Sequence, residues 1–374
     1  MRVLLRLPTE APDRGAADRP IDYHRRLPGY AESPLVEAPQ LAKKLGVAKV
    51  FVKNETGRFG LPSFKILGAS WATYVSLRER LGPLPDGPLS HERLQAWASR
   101  ARPLTLVAAT DGNHGRAVAR VAKWFGLDAK IVVPNFVAPP RLKAMKDEGA
   151  EITVIDGVYD AAVDAAIEVA RDKNTLLVSD TARAVTDVEP RLVSQGYTTA
   201  FDEVEAQLSR TGDDRIDAVG IQAAVGGLAF ACTSWARVTR RRNPPAVMVV
   251  EPNGSACVMA ALAAGEPITV SASEATELSL LQCGTMSLTA FDVLHAGVSA
   301  CIAIEDSWAA TAVSELGVAG LSVGPSGAAG AAGLLAALGG PLAEPIRRHL
   351  KISADAHLLV VATESAAASG SGAG

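Results

Sequence analysis

Between residues 104 and 179 short, unbroken apolar runs alternate with longer stretches whose apolar positions recur at helical spacing. Residues 104–109, 129–134, 151–155 and 175–179 read as strands. Residues 110–115 read as a loop into a helix that runs through 125, and the stretches 140–148 and 160–171 also read as helices. Runs without alternating polar positions suit strands buried on both faces, so this pattern predicts a small parallel sheet covered by helices. Upstream, 47–53 reads as a strand, 54–62 as a loop, and 63–74 as a helix with Leu67, Ser70, Trp71 and Tyr74 on one face. Residues 1–46 start irregularly and lead into a helix just before that strand. Pro83, Pro85, Gly87 and Pro88 cannot continue a helix, which makes 81–90 a domain crossing.

The second half has the same style without an internal repeat. Strands are expected at 218–222, 246–250, 298–304 and 358–363, and helices at 226–240, 255–264 and 327–338. The expected organisation is a larger domain from 1–85 and 200–374 and a smaller α/β domain from 86–199. The Ala/Ser/Gly-rich residues 364–374 read as a plain terminus.

At 374 residues with 48% hydrophobic and 21% charged, the chain can bury two cores and does not resemble a disordered segment. Thirty-seven Lys and Arg against 40 Asp and Glu leave a net charge of -3, so nothing draws the protein to nucleic acid or to an anionic membrane. No run is long and apolar enough to span a bilayer, and no signal-peptide core opens the chain, which predicts a cytoplasmic protein. The four cysteines form no CxxC pair, and no metal site is expected.

Three loops carry candidate chemistry. Lys65 stands near a helix start among Phe64, Ile66 and Leu67. A positive helix end and a dry neighbourhood both favour a neutral, nucleophilic amine, able to hold an aldehyde cofactor as a Schiff base. A lysine at a helix start is more often a solvated surface residue, so Lys65 alone decides nothing. Thr110-Asp111-Gly112-Asn113-His114-Gly115 joins a strand to a helix, the place where parallel sheets bind ligands. Asn113 can bond a ring oxygen; His114 is either a packed loop residue or a base, and Asp111 either a cap or an acid/base group. Gln222-Ala223-Ala224-Val225-Gly226-Gly227-Leu228 also joins strand to helix. Its amides and the helix dipole can cradle a phosphate without a lysine, although it matches neither a dinucleotide fingerprint nor a Walker A loop.

Taken together, these segments resemble the diaminopropionate ammonia-lyase family, within the tryptophan-synthase-β-like (fold type II) pyridoxal-phosphate superfamily. The stretch from Glu55 to Gly68, with Arg58-Phe59-Gly60-Leu61 and Ser63-Phe64-Lys65, is similar to the family's cofactor-lysine region. Asp111 before Gly112-Asn113-His114, Ser179-Asp180-Thr181-Ala182 and Gln195-Gly196-Tyr197 continue the likeness, which runs from about residue 24 to 364. Serine/threonine dehydratases and racemases of the superfamily usually have a small residue where Asp111 stands. This chain departs from the family at Pro62-Ser63, at Ala362-Thr363-Glu364-Ser365, where Ser-Thr-Glu-Gly is typical, and at Leu281-Gln282-Cys283-Gly284-Thr285-Met286.

The resemblance implies a two-domain α/β fold and pyridoxal 5'-phosphate held on Lys65. It gives the phosphate to Ala224, Val225, Gly226, Gly227 and Leu228, the 3'-oxygen to Asn113 and the pyridine nitrogen to Thr363. It implies α,β-elimination of 2,3-diaminopropionate to pyruvate and ammonia. Lys65 and Asp111 serve as bases for the two substrate hands, and Asp180 recognises or protonates the β-amino group. Thr110, His114, Cys283 and Thr285 are the further substrate-binding candidates, and a homodimer is expected. Cys257 and Cys283 match positions that can form a disulfide in the resembling enzyme. Other expectations are a serine or threonine dehydratase, another β-eliminating or β-replacing enzyme, or a cofactor-binding homologue without turnover.

Overall fold

A computed structural model describes residues 1–9, 18–110, 112–157, 159–238, 240 and 243–366. Two sheets organise them. The larger draws on β1 (Arg2–Leu5), β2 (Leu35–Glu37) and β3 (Lys49–Asn54) from the start of the chain. The smaller consists of β4 (Thr105–Ala109), β5 (Asp128–Pro134), β6 (Glu151–Ile155) and β7 (Thr175–Leu177). The larger sheet is then completed by β8 (Ala218–Gln222), β9 (Ala246–Pro252), β10 (Ala300–Ile304) and β11 (His357–Ala362). Its order is β1-β10-β9-β8-β11-β3-β2, with the five central strands parallel and both edge strands antiparallel. The smaller sheet, β6-β5-β4-β7, is parallel throughout.

The apolar runs become strands because helices shield both faces. In β8 every residue is buried, and β9 is buried from its second residue on. Helix Pro325–Gly339 lies so close to β8 that a Cβ on Gly330 would sit 2.5 Å from the Gly220 carbonyl oxygen, and one on Gly220 2.6 Å from that of Gly330. Only glycine opposite glycine permits that approach, which accounts for the small-residue composition of this helix. No single helix among the described residues is long and apolar enough to cross a membrane. The predicted helix at 63–74 begins at Lys65 and runs on to Leu81, because Val75 and Leu77 extend its buried face. Most of the predicted tail, 367–374, lies outside the described residues; Glu364 and Ser365 bridge Ser63 and Val323.

Parallel strands deliver their loops to one edge. Segments 55–64 after β3, 110–112 after β4, 178–180 after β7, 223–226 after β8 and 363–364 after β11 all leave carboxyl ends of strands, where open α/β sheets bind ligands. The loop that carries Lys65 is held by a buried ionic cluster. Glu203, in helix Thr198–Thr211, accepts bonds from Arg58 Nη1 (2.8 Å), Arg58 Nη2 (2.7 Å) and Lys53 Nζ (2.7 Å). Arg58 also donates to Glu55 through Nε (2.9 Å) and Nη2 (2.6 Å). None of the four residues is more than 2% exposed. Burial pushes the Glu203 carboxyl up, but Arg58 and Lys53 outweigh it and hold it well below the usual range.

Removing one member of such a cluster leaves buried charge without its partner. Glu203→Ala should therefore cost about 3–5 kcal/mol of stability, read from the urea midpoint at neutral pH. Since the folded-state pKa is depressed, this contribution is present above the unfolded value of about 4.3 and is lost as pH falls below it. A loss under about 1 kcal/mol would mean that the cluster does not brace the loop.

Candidate active site

Lys65 is the first residue of its helix, and it lines a pocket between the carboxyl ends of the two sheets. Ser63, Asn113, Asp180, Tyr197, Gln222, residues 223–228, Ser326, Thr363 and Glu364 line the same pocket. Lys65 Nζ donates to Asp180 Oδ2 at 2.6 Å and lies 5.6 Å from the Phe64 ring centroid and 6.0 Å from that of Tyr197. The dry neighbourhood expected from the sequence thus also contains a carboxylate, supplied from 115 residues away in the chain.

Asp180 is 8% exposed and accepts a second bond from the Tyr159 hydroxyl at 3.1 Å. Burial alone would raise its pKa. The Lys65 ammonium and the hydrogen bonds from Lys65 and Tyr159 prevail and hold the carboxyl well below the ordinary range, so it is ionised at neutral pH. His114 Nε2 lies 2.7 Å from the Val178 carbonyl oxygen, which can only accept, so Nε2 carries the proton. Nδ1 then presents a lone pair; it has no hydrogen-bond partner among the described residues and lies 4.0 Å from Asp180 Oδ2. Burial foremost, and Lys65 in addition, lower the His114 pKa and keep the ring neutral.

The loop after β8 is ready for an anion. Gly226 has φ +96°, a conformation open to glycine, and directs the chain into helix Gly227–Val238. The first amides of that helix have no intrahelical acceptor and carry the positive end of its dipole. Across the pocket Asn113 Nδ2 donates to Glu364 Oε2 at 3.2 Å. Thr363 Oγ1 accepts a bond from Gln222 Nε2 at 2.8 Å.

The sequence-derived residues fall into three groups. Lys65, Asn113, Asp180, Ala224, Val225, Gly226, Gly227, Leu228 and Thr363 meet in the pocket, with His114 beside them against Asp180. Thr110 is buried just behind, its hydroxyl accepting the Gly112 N–H at 3.0 Å. Cys283 and Thr285 line a separate, larger open cleft that has Val225 in common with the pocket as a wall residue. Asp111 lies outside the described residues. Cys257 and Cys283 carry thiols; the Cys257 thiol, pushed up by burial, donates to the Ala224 carbonyl at 3.4 Å. Tyr159, Tyr197 as a wall of the pocket, Gln222 as a side chain and Glu364 were not picked out as site residues. Tyr197, Gln222 and Glu364 each stood in a quoted segment (Gln195-Gly196-Tyr197, the 222–228 loop and Ala362-Thr363-Glu364-Ser365), whereas Tyr159 had no signal.

An amine, a helix start with uncommitted amides, an amide side chain and a hydroxyl around one pocket make a donor set that suits an aldehyde bearing a phosphate and a ring nitrogen. The comparison with known proteins agrees. The chain belongs to the pyridoxal-phosphate dependent enzymes, a family that matches residues 26–346. It is similar to the diaminopropionate ammonia-lyase of Salmonella typhimurium, 31% identical over 354 residues, covering 91% of this chain and 87% of that protein. Its Escherichia coli counterpart is 31% identical over 347 residues, covering 91% and 86%. A crystal structure of the Escherichia coli enzyme in complex with D-serine matches with a TM-score of 0.82 and 30% identity, over 92% of this chain and 87% of that one. The protein is an enzyme that uses pyridoxal phosphate and acts on a small amino acid.

Proposed function

We propose that this enzyme eliminates ammonia from 2,3-diaminopropionate and yields pyruvate and ammonia. The observation that selects this substrate is the ionised Asp180 carboxylate, 2.6 Å from Lys65 Nζ inside the pocket. A carboxylate there binds a β-ammonium group and cannot act as its proton donor. None is needed, because an ammonium leaves as neutral ammonia once the α-proton has been taken. A β-hydroxyl group does need a donor, and Asp180 in this state cannot supply one.

Pyridoxal phosphate, when bound, supplies the carbonyl carbon that links to an amine and the ring that accepts the electron pair left at the α-carbon. The chain does the rest. The amides of 224–228 hold the phosphate, Asn113 faces the 3'-oxygen and Thr363 the ring nitrogen. Lys65 takes the α-proton of one substrate hand, and its Nζ then shares that positive charge with Asp180. Asp111 is the base for the opposite hand, a role that rests on the resemblance alone. His114, neutral and fixed by its bond to the Val178 carbonyl, stands beside Asp180 at the substrate side. Cys283 and Thr285 meet the substrate in the cleft, with Thr110 behind the carboxylate-binding turn. The unsaturated amino acid left behind hydrolyses to pyruvate and a second ammonia. A homodimer working in the cytoplasm completes the proposal.

The alternative is a serine or threonine dehydratase on the same scaffold. Steady-state kinetics with D- and L-2,3-diaminopropionate, serine and threonine separate the two. The expected order places diaminopropionate at least tenfold above serine in kcat/KM, roughly what one charge-assisted hydrogen bond contributes. A higher value for serine or threonine would select the dehydratase.

A further inference from the structure

Gln222 closes β8 with an amide that packing alone does not require. Its Nε2 lies 2.8 Å from Thr363 Oγ1, 2.9 Å from the Gly327 carbonyl oxygen, 3.1 Å from that of Val361 and 3.4 Å from that of Ser326. Three of these four acceptors are carbonyls, which cannot donate. The NH2 end of the amide must therefore face them, and the oxygen end must face away. Gln222 Oε1 is buried without a partner among the described residues, a cost that a methionine or leucine of similar size would not carry.

That cost has a consequence at Thr363. Because Gln222 donates to Thr363 Oγ1, the hydroxyl hydrogen cannot point back at Gln222. No acceptor for it is found among the described residues, and Thr363 lines the cofactor pocket. The two ends of the amide differ sharply: carbonyls lock its orientation, and the locked amide in turn leaves a hydroxyl proton free on the pocket side.

We infer that Gln222 is a positioning residue that makes Thr363 a hydrogen-bond donor into the pocket. The ring nitrogen of pyridoxal phosphate is thereby received as an acceptor that carries no proton of its own. This rests on the reading that Thr363 faces the ring nitrogen.

The test uses apoprotein reconstituted with pyridoxal phosphate labelled with 15N in the ring. Two quantities are read: the ring-nitrogen resonance through the neutral pH range and the cofactor dissociation constant. Wild type and Thr363→Ser should show an unprotonated ring nitrogen. Thr363→Val and Gln222→Met should both move the resonance the same way and weaken cofactor binding roughly tenfold, as for one lost hydrogen bond. The double variant should be no weaker than Thr363→Val alone, because the two side chains act through one contact. Gln222→Asn keeps an amide among the carbonyls but withdraws it from Thr363, and it serves if Gln222→Met does not fold. A resonance unchanged in both Gln222 variants but moved in Thr363→Val would overturn the inference and leave the Thr363 reading standing. A resonance unmoved in Thr363→Val would remove that reading and the inference together. Additive losses in the double variant would also overturn the inference, reducing Gln222 to packing.

Discussion

Lys65→Ala should lower turnover of diaminopropionate by at least ~10³-fold, since one change removes both the covalent anchor and a base. The cradle of amides, Asn113 and Thr363 does not depend on Lys65, so the variant should still bind cofactor. Borohydride reduction followed by intact-mass measurement reads the two effects apart. Wild type should gain the mass of one reduced cofactor, mapped to Lys65, and the variant should gain none while still releasing cofactor on denaturation. A variant that keeps more than a few per cent of wild-type turnover would place the essential amine elsewhere. The geometry leaves little room for that: Lys65 is the lysine that lines the pocket, and its Nζ is held between Asp180 and the faces of Phe64 and Tyr197.

Asp180→Asn should act on substrate choice more than on cofactor binding. Asparagine keeps the shape and loses the charge that meets a β-ammonium group. For diaminopropionate, kcat/KM should fall roughly 10²-fold, the size of a lost hydrogen bond between charged groups. The value for serine, which offers a neutral hydroxyl, should change by far less, so the ratio between the two substrates is the informative number. The pH profile supplies a second check. With its carboxyl held well below the usual range by Lys65 against the opposing effect of burial, Asp180 stays charged as pH falls through about 5. An acid limb near that pH in the wild type must then belong to another group and should persist in the variant. Equal losses on both substrates would show that Asp180 serves the common chemistry and does not select the amine.

The smaller sheet was legible because its central strands β4 and β5 are largely buried and the helix between them is amphipathic, while β6, an exposed edge strand, still carries a five-residue run with three β-branched apolar residues. The 151–155 and 218–222 strands fall where the apolar runs place them, and the other shared elements shift at their ends by a few residues. Edge elements were not legible. β1 and β2 are three to four residues long and half exposed, so their runs carry no contrast with the surrounding loop. Helix Thr198–Thr211 escaped notice because its inward face includes Glu203, a charge that breaks the apolar stripe and is explained only by Arg58 and Lys53 far away in the chain. Helices Asp306–Val318 and His91–Ala98 are likewise not legible, the first because small and polar residues interrupt its apolar positions, the second because it is short.

The same contrast runs through the site. Lys65, the Asn113-His114 turn and the Gly226-Gly227 loop stand on local patterns, a helix start or a strand-to-helix turn, that sequence displays directly. The pairing of Lys65 with Asp180, the hold of Gln222 on Thr363 and the approach of Asn113 to Glu364 join segments 115, 141 and 251 residues apart. No local spacing encodes such meetings. The ionisation of Asp180 follows from them and so becomes visible only in three dimensions.

The most direct test of the central claim is the ratio of ammonia to pyruvate released when the purified holoenzyme acts on 2,3-diaminopropionate. The account predicts two ammonia for each pyruvate from at least one enantiomer, with the β-nitrogen recovered as free ammonia when only that atom carries an 15N label. Pyruvate formed readily from serine, with no ammonia derived from the labelled β-nitrogen of diaminopropionate, would contradict it.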